Sequence, residues 1–246
     1  MIFFRKKKQE PLPELFRLLQ VDMHSHLLPG IDDGAQDLSQ SLELIRGMVE
    51  LGYRKLITTP HILRPLYPNT REVIIEKLEA MQEILKEEGI PVEFQAAAEY
   101  YLDDSLLELL RAEVPLLTFG NNYVLVEFSM ASVPLNLKDM LFALQLQGYQ
   151  PVIAHPERYV YLEHSRQLYD ELKDAGYLFQ MNLLSLGGGY GRAVQDLAHH
   201  LAKKEYYDLI GTDMHHVRHL RALQTPGLVE PVARLLESGK IRNPTL

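Results

Sequence analysis

At 246 residues, 46% hydrophobic and 24% charged, the chain can bury a large core, which predicts one α/β domain over 1–246 with residues 1–18 as an N-terminal extension. A formal net charge of −8 argues against a broad nucleic-acid footprint. The absence of cysteine excludes disulfides and thiolate ligands, so any metal must be held by His, Asp and Glu. The basic run Arg5–Lys8 leads into Gln9, Glu10 and Pro11 rather than an apolar stretch, which speaks against a secretory signal. No run of about 18 apolar residues exists to span a membrane.

In chain order, apolar runs predict strands over Leu19–Met23, Lys55–Thr59, Val92–Ala97, Tyr123–Phe128, Pro151–Ala154, Tyr177–Met181 and Asp208–Gly211. Helices are expected between them. Ser39–Leu51 opens on Ser and stops at Gly52; Thr70–Glu88 ends before Gly89 and Pro91. Leu137–Gln147, Ser165–Ala175, Arg192–Lys204 and Val229–Ser238 complete the set. Such alternation predicts a parallel sheet, and its regularity a barrel rather than an open sheet. The outer face of Ser39–Leu51 leaves room for a homo-oligomer.

In a parallel barrel, chemistry collects at the C-terminal ends of the strands. There the sequence places, in turn, His24 and His26, then His61, Glu99, Glu127, His155, Asn182, and Asp213 with His215. One His after one strand is ordinarily a hydrogen-bonded loop residue. Ligand-type residues at six of seven strand ends are a different matter. In extended chain, residues i and i+2 point to the same side, so His24/His26 and Asp213/His215 can each reach one ion. Mixed His and carboxylate ligands suit manganese, iron or zinc. A bridging carboxylate would let this set hold two or three divalent ions, an arrangement suited to displacement at phosphorus.

Phosphate esters also need cations, and Arg offers a planar fork. Arg158 lies three residues after His155, and Arg218 three after His215. On an ordinary surface each would be an ion-pairing residue; beside metals, each is a candidate oxyanion ligand. Asp32 and Asp33 follow Pro29-Gly30-Ile31 and read as a polar turn, although an Asp here could also reach the metals or act as general acid. His216 and His219 could form an outer layer around the last ligand.

These segments resemble the polymerase-and-histidinol-phosphatase (PHP) superfamily. Narrowly, they are similar to the manganese-dependent tyrosine-protein phosphatases of bacterial capsule and exopolysaccharide loci. The resemblance rests on Val21 to Gly34 (VDMHSHLLPGIDDG), Thr58-Thr-Pro-His61, Ala98-Glu-Tyr-Tyr101, Val126-Glu-Phe-Ser129, Val152 to Tyr159 (VIAHPERY) and Gly211-Thr-Asp-Met-His215. It implies a distorted TIM-like (β/α)7 barrel of PHP type and up to three metals. His24, His26, Asp213 and Glu99 would hold one ion, and Glu99, Glu127 and His155 a second. His61 and His215, with Asp33, would hold a third. Arg158 matches the family's phosphate-binding Arg; the spacing after His215 differs, making Arg218 the choice for a second and Arg221 the reserve. The implied activity is hydrolysis of phosphotyrosine in the cytoplasm, on a cognate tyrosine kinase controlling polysaccharide export. Two other readings stand beside it: a small-molecule phosphatase of histidinol-phosphate type, and a regulatory protein that has lost activity.

Overall fold

Every pairing between the strands of this computed structural model, which describes residues 12–246, is parallel. The basic run Arg5–Lys8 lies outside the described residues. In chain order come β1 (Val21–Asp22), β2 (Lys55–Thr58), β3 (His61–Ile62), β4 (Glu93–Ala96), β5 (Glu99–Tyr101), β6 (Tyr123–Glu127), β7 (Gln150–Ala154), β8 (Leu178–Asn182) and β9 (Leu209–Gly211). They form two sheets, β1-β2-β4 and β3-β5-β6-β7-β8-β9.

The two sheets are one curled surface with a break across it. Thr59 and Pro60 separate β2 from β3, and Pro60 has no N–H for a ladder. Ala97 and Ala98 separate β4 from β5. Pairing continues over both breaks, since Ala97 N donates to Thr58 O (2.9 Å) and Glu99 N to Pro60 O (3.1 Å). His61 and Glu99 therefore open short strands of their own, where the sequence predicts loop positions. The first stave returns to the last: Asp213 N donates to His24 O (2.8 Å), His26 N donates to Met214 O (2.9 Å), and Ser25 bridges Met214. The result is the distorted α/β barrel that the alternation predicts.

The helices are α1 (Leu12–Leu19), α2 (Leu38–Leu51), α3 (Arg71–Glu87), α4 (Asp104–Arg111), α5 (Leu137–Leu146), α6 (Gln167–Asp174), α7 (Leu183–Leu186), α8 (Arg192–Lys203), α9 (Val217–Leu223) and α10 (Val229–Glu237). The strand expected over Leu19–Met23 is thereby corrected, because Leu19 ends α1. Leu15, Phe16 and Leu19 of α1 are buried, and the helix packs on α2 and α10. The described part of the N-terminal extension is thus a packed element. α2 starts on Asp37, whose side chain accepts from Gln40 N, rather than on Ser39. Its Leu44, Ile45 and Met48 are buried, with α1 and α9 as its neighbours.

The barrel interior is a small apolar plug of Met23, Ile57, Leu125, Val152, Ala154 and Leu209. A larger apolar layer lies between sheet and helices. The polar cluster sits on top of the plug. No helix of the described residues is long and apolar enough to cross a membrane.

Candidate metal centre

His24 and His26 leave β1 in extended chain, pinned at Ser25 O by Thr59 N (2.7 Å) and Thr58 Oγ1 (2.8 Å). Both imidazoles are fully buried. Gln180 Oε1 accepts from His24 Nδ1 at 2.7 Å, and Asp32 Oδ2 from His26 Nδ1 at 2.8 Å. Each ring thus spends its proton on Nδ1 and, when neutral, carries a lone pair on Nε2. Those two Nε2 atoms face each other 3.4 Å apart. Two lone pairs directed into the same buried space repel unless a cation lies between them.

The same space collects carboxylates. Glu99 Oε2 lies 3.2 Å from His24 Nε2, 3.5 Å from His26 Nε2 and 3.3 Å from His61 Nδ1, while Oε1 lies 3.1 Å from His155 Nε2. Glu127 Oε1 is 3.2 Å from His61 Nδ1. Asp213 Oδ1 is 3.4 Å from both His24 Nε2 and His26 Nε2, and 3.3 Å from His215 Nδ1. Half-exposed Asp33 lies 3.4 Å from His215 Nε2 and 3.6 Å from His61 Nε2. Donors about 2.0–2.2 Å from one ion stand roughly 3.0–3.5 Å from each other, which is the spacing found. His61 Nδ1 is buried and close to two carboxylates, yet it has no hydrogen-bond partner. The ring nitrogens and carboxylate oxygens converge on shared points, and this donor set fits divalent ions.

All eight expected ligands come together, in four overlapping groups: His24-His26-Asp213, His24-Glu99-His155, His61-Glu99-Glu127 and His26-Asp33-His61-His215. Glu99 belongs to two of them, as a bridging carboxylate would. The expected second set, Glu99-Glu127-His155, is looser, since His155 Nε2 stands 4.0 Å from Glu127.

Electrostatics of the ion-free cluster point the same way. Burial opposes charge on His24, but Glu99 and Asp213 outweigh it and push its pKa up to about 9. Burial likewise opposes the Glu99 and Asp213 charges, yet the surrounding histidines hold both well below the usual carboxylate range. The pocket therefore favours positive charge.

Strand ends here adopt rare backbone. His155 (φ 32°) and Asp213 (φ 51°) are non-glycine residues in the left-handed region, a cost of about 1–3 kcal/mol each that recurs at functional sites. Gly211 permits a close approach, because a Cβ there would meet His24 Cβ at 2.5 Å.

Arg158 follows His155 on a 3-10 turn (Pro156–Arg158). Its Nη1 donates to Asp213 Oδ2 (2.9 Å), and its guanidinium lies over the Tyr190 ring, 4.8 Å from the centroid. Arg218 and Arg221 are exposed on α9, and among the described residues no hydrogen bond or ion pair ties either to the cluster. His219 is nearer, with Nδ1 3.1 Å from Asp213 O.

Of the supporting layer, the sequence places Asn182 on the rim and Asp32 on the first loop but does not single out Gln180. Gln180 and Asn182 share the inward face of β8. Gln180 Oε1 holds His24, Gln180 Nε2 donates to Asn182 Oδ1 (3.0 Å), and Asn182 Nδ2 donates to Asp213 Oδ2 (2.7 Å). The Asp pair also divides: buried Asp32 orients His26 and accepts from His61 N (3.1 Å), while Asp33 faces the ion ligands. Asp32→Ala is expected to weaken metal binding by about 10–100-fold. Metal titration of the purified variant checks this, and unchanged affinity would refute the orienting role.

Comparison with known proteins adds the following. A family model described as capsular polysaccharide synthesis, CpsB/CapC, matches residues 20–236. The tyrosine-protein phosphatase YwqE of Bacillus subtilis is 31% identical over 198 residues, covering 80% of this chain and 78% of that protein. The tyrosine-protein phosphatase CpsB of Streptococcus pneumoniae is 29% identical over 203 residues, covering 80% and 83%. The crystal structures of YwqE and CpsB, described as unique metal-dependent tyrosine phosphatases, include a chain that superposes with a TM-score of 0.77 at 29% identity, covering 91% of this chain and 94% of that one.

Proposed function

Because the chain belongs to the CpsB/CapC family of capsular polysaccharide synthesis, we propose that it is a metal-dependent protein-tyrosine phosphatase. The observation that carries this reading is the convergence of His24 and His26 Nε2, Glu99 and Asp213 beside Arg158.

His24, His26, Asp213 and Glu99 would hold one ion; Glu99, Glu127 and His155 a second; His61, His215 and Asp33 a third. Two or three manganese ions are assigned, with iron and zinc suited to the same donors. When bound, such ions polarise phosphoryl oxygens and lower the pKa of water. The chain's own residues do the rest. Arg158 has only Nη1 engaged among the described residues, leaving its other donors to grip phosphate oxygens. Arg218, exposed and unconnected to the cluster, is not given that role. Partial burial disfavours the Asp33 charge, but His215, with His26 and His61, holds its pKa at about 2. Asp33 stands 3.4 Å from His215 Nε2 and 3.6 Å from His61 Nε2, in one of the four groups able to hold an ion, so it is assigned as a ligand. Water adds to phosphorus, the P–O bond to the phenol breaks, and phosphate and tyrosine leave. No thiol nucleophile exists in the chain. The resemblance supports a cognate bacterial tyrosine kinase as the phosphoprotein and the cytoplasm as the place of action.

The test is turnover of a phosphotyrosine peptide and of histidinol phosphate, with manganese and after chelation. Peptide hydrolysis lost on chelation and restored by manganese is expected. Turnover of histidinol phosphate alone would replace this reading with a small-molecule phosphatase. Failure on both, with no ion bound, would leave a regulatory protein.

A further inference from the structure

The loop 187–191, between α7 and α8, supplies none of the expected metal ligands. Its sequence, Gly-Gly-Gly-Tyr-Gly, sets one large side chain among glycines. The loop turns back on α7: Gly188 N donates to Ser185 O (3.2 Å), Gly189 N to Leu184 O (2.9 Å) and Gly191 N to Gly188 O (3.0 Å). Gly188 (φ 77°) and Gly191 (φ 92°) take the left-handed backbone that favours glycine. So folded, the loop lays the half-buried Tyr190 ring under Arg158, whose guanidinium carbon is 4.8 Å from the ring centroid.

Both partners are tied to one anchor. Glu157 is fully buried and precedes Arg158 on the 3-10 turn. Its Oε1 accepts from Asn182 N (2.9 Å) and Ser185 Oγ (2.8 Å), and its Oε2 from the Tyr207 hydroxyl (3.1 Å). The turn that carries Arg158 is thereby fastened to α7, from which the tyrosine loop springs. The Tyr190 ring also packs edge-to-face with His219 (6.3 Å between centroids, 73°), and His219 Nδ1 lies 3.1 Å from Asp213 O.

A guanidinium carries its N–H donors in one plane and grips a phosphate bidentately along an edge of that plane. Its orientation therefore decides whether the free donors meet phosphoryl oxygens. Asp213 Oδ2 holds Arg158 at Nη1 (2.9 Å), and the Tyr190 ring holds it from the side. A swing of the guanidinium away from the cluster breaks both contacts. No side chain takes the buried Tyr190 hydroxyl within hydrogen-bond geometry, so the ring makes the contact and the hydroxyl does not.

We propose that Tyr190 is a positioning residue for phosphate binding. Its ring fixes the orientation of the Arg158 guanidinium, so that the donors not used by Asp213 face the phosphoryl group. Tyr190 acts through Arg158 and touches no reacting atom. The proposal rests on the phosphotyrosine reading of the metal site, in which Arg158 binds the phosphate.

A double-mutant cycle on the full, manganese-loaded chain tests it. The readouts are kcat/KM on a phosphotyrosine peptide and on p-nitrophenyl phosphate, and the calorimetric affinity for inorganic phosphate. Tyr190→Leu should lower all three by about tenfold, the scale of a partly desolvated cation–π contact, while manganese content stays at the wild-type level. Tyr190→Phe keeps the ring and should recover all but about twofold of that loss. In an Arg158→Ala background, Tyr190→Leu should cost less than about twofold on p-nitrophenyl phosphate, whose good leaving group keeps that background measurable. An equal loss with and without Arg158 would overturn the proposal and leave Tyr190 a packing residue. An undiminished Y190L would overturn it too, as would a Y190F as impaired as Y190L, which would move the role to the hydroxyl. If Y190L does not fold, Tyr190→Met, a second side chain without a ring, takes its place in the cycle; loss of manganese in a folded Y190L or Y190M would assign Tyr190 to the metal site instead. A wild type that hydrolyses no phosphotyrosine peptide sinks the phosphatase reading, and this role with it.

Discussion

Asp213→Ala should strip the protein of metal and lower kcat/KM on a phosphotyrosine peptide by about a thousandfold or more. Asp213 works on two sides at once. Its Oδ1 stands within 3.4 Å of ring nitrogens of His24, His26 and His215. Its Oδ2 takes Arg158 Nη1 (2.9 Å) and Asn182 Nδ2 (2.7 Å). Removing the carboxylate therefore deprives three imidazoles of their shared counter-charge and releases the arginine assigned to phosphate. Several kcal/mol of transition-state stabilisation depend on bound ions, and about 4 kcal/mol is a thousandfold in rate. Asp213→Asn separates shape from charge. It should keep the melting temperature within a few degrees of chelated wild type while still losing metal and activity. Metal content, melting temperature and kcat/KM measured on one preparation decide the matter; a full metal complement with an undiminished rate would contradict the assignment.

Chelation should invert the pH dependence of stability. In the ion-free cluster His24 has its pKa pushed up to about 9 from an ordinary 6.5, and His26 is also raised well above its usual range. A raised histidine stabilises the fold fully below its unfolded value and loses that contribution as pH climbs through the folded one. For His24 this amounts to something on the order of 3 kcal/mol, lost between about pH 6.5 and 9. The lowered carboxyls of Glu99 and Asp213 act oppositely, their contribution being lost only in acid. Ions, by contrast, need deprotonated imidazoles and bind more tightly as pH rises. Chelated protein should therefore melt lower at pH 9 than at pH 6, and the melting increment from manganese should grow over the same interval. A pH-independent increment would show that the cluster protons are not exchanged for metal.

The cluster was readable in the sequence because a parallel barrel converts chain position into spatial position. Residues after successive apolar runs must meet on one rim, and His24, His61, Glu99, Glu127, His155 and Asp213 do. What held them was harder to read. Gln180 lies inside an apolar run and looks like a strand residue; only its i+2 relation to Asn182 marks the shared inward face. Asp32 and Asp33 are adjacent, and no local pattern says which turns inward. Strand ends blurred where backbone chemistry intervened, as at Pro60, or where propensity allowed another state, as at Leu19 in α1. α7 and α9, of four and seven residues, are too short for their periodicity to stand out. Arg218 was chosen on spacing, and spacing along a helix does not fix which side of it faces the rim.

The seam where the first stave meets the last has a consequence for synthesis of the protein. His24 and His26 leave the ribosome early, whereas Asp213 and His215 emerge nearly two hundred residues later, and the backbone pairing of His24–His26 with Asp213 and Met214 brings them together. A nascent chain stalled before Asp213 carries most of the imidazoles without the carboxylate that closes the first ion's ligand set. On the proposed ligand set, the first ion's site is complete only after Asp213 has been made, and a chain cut short before it lacks that carboxylate.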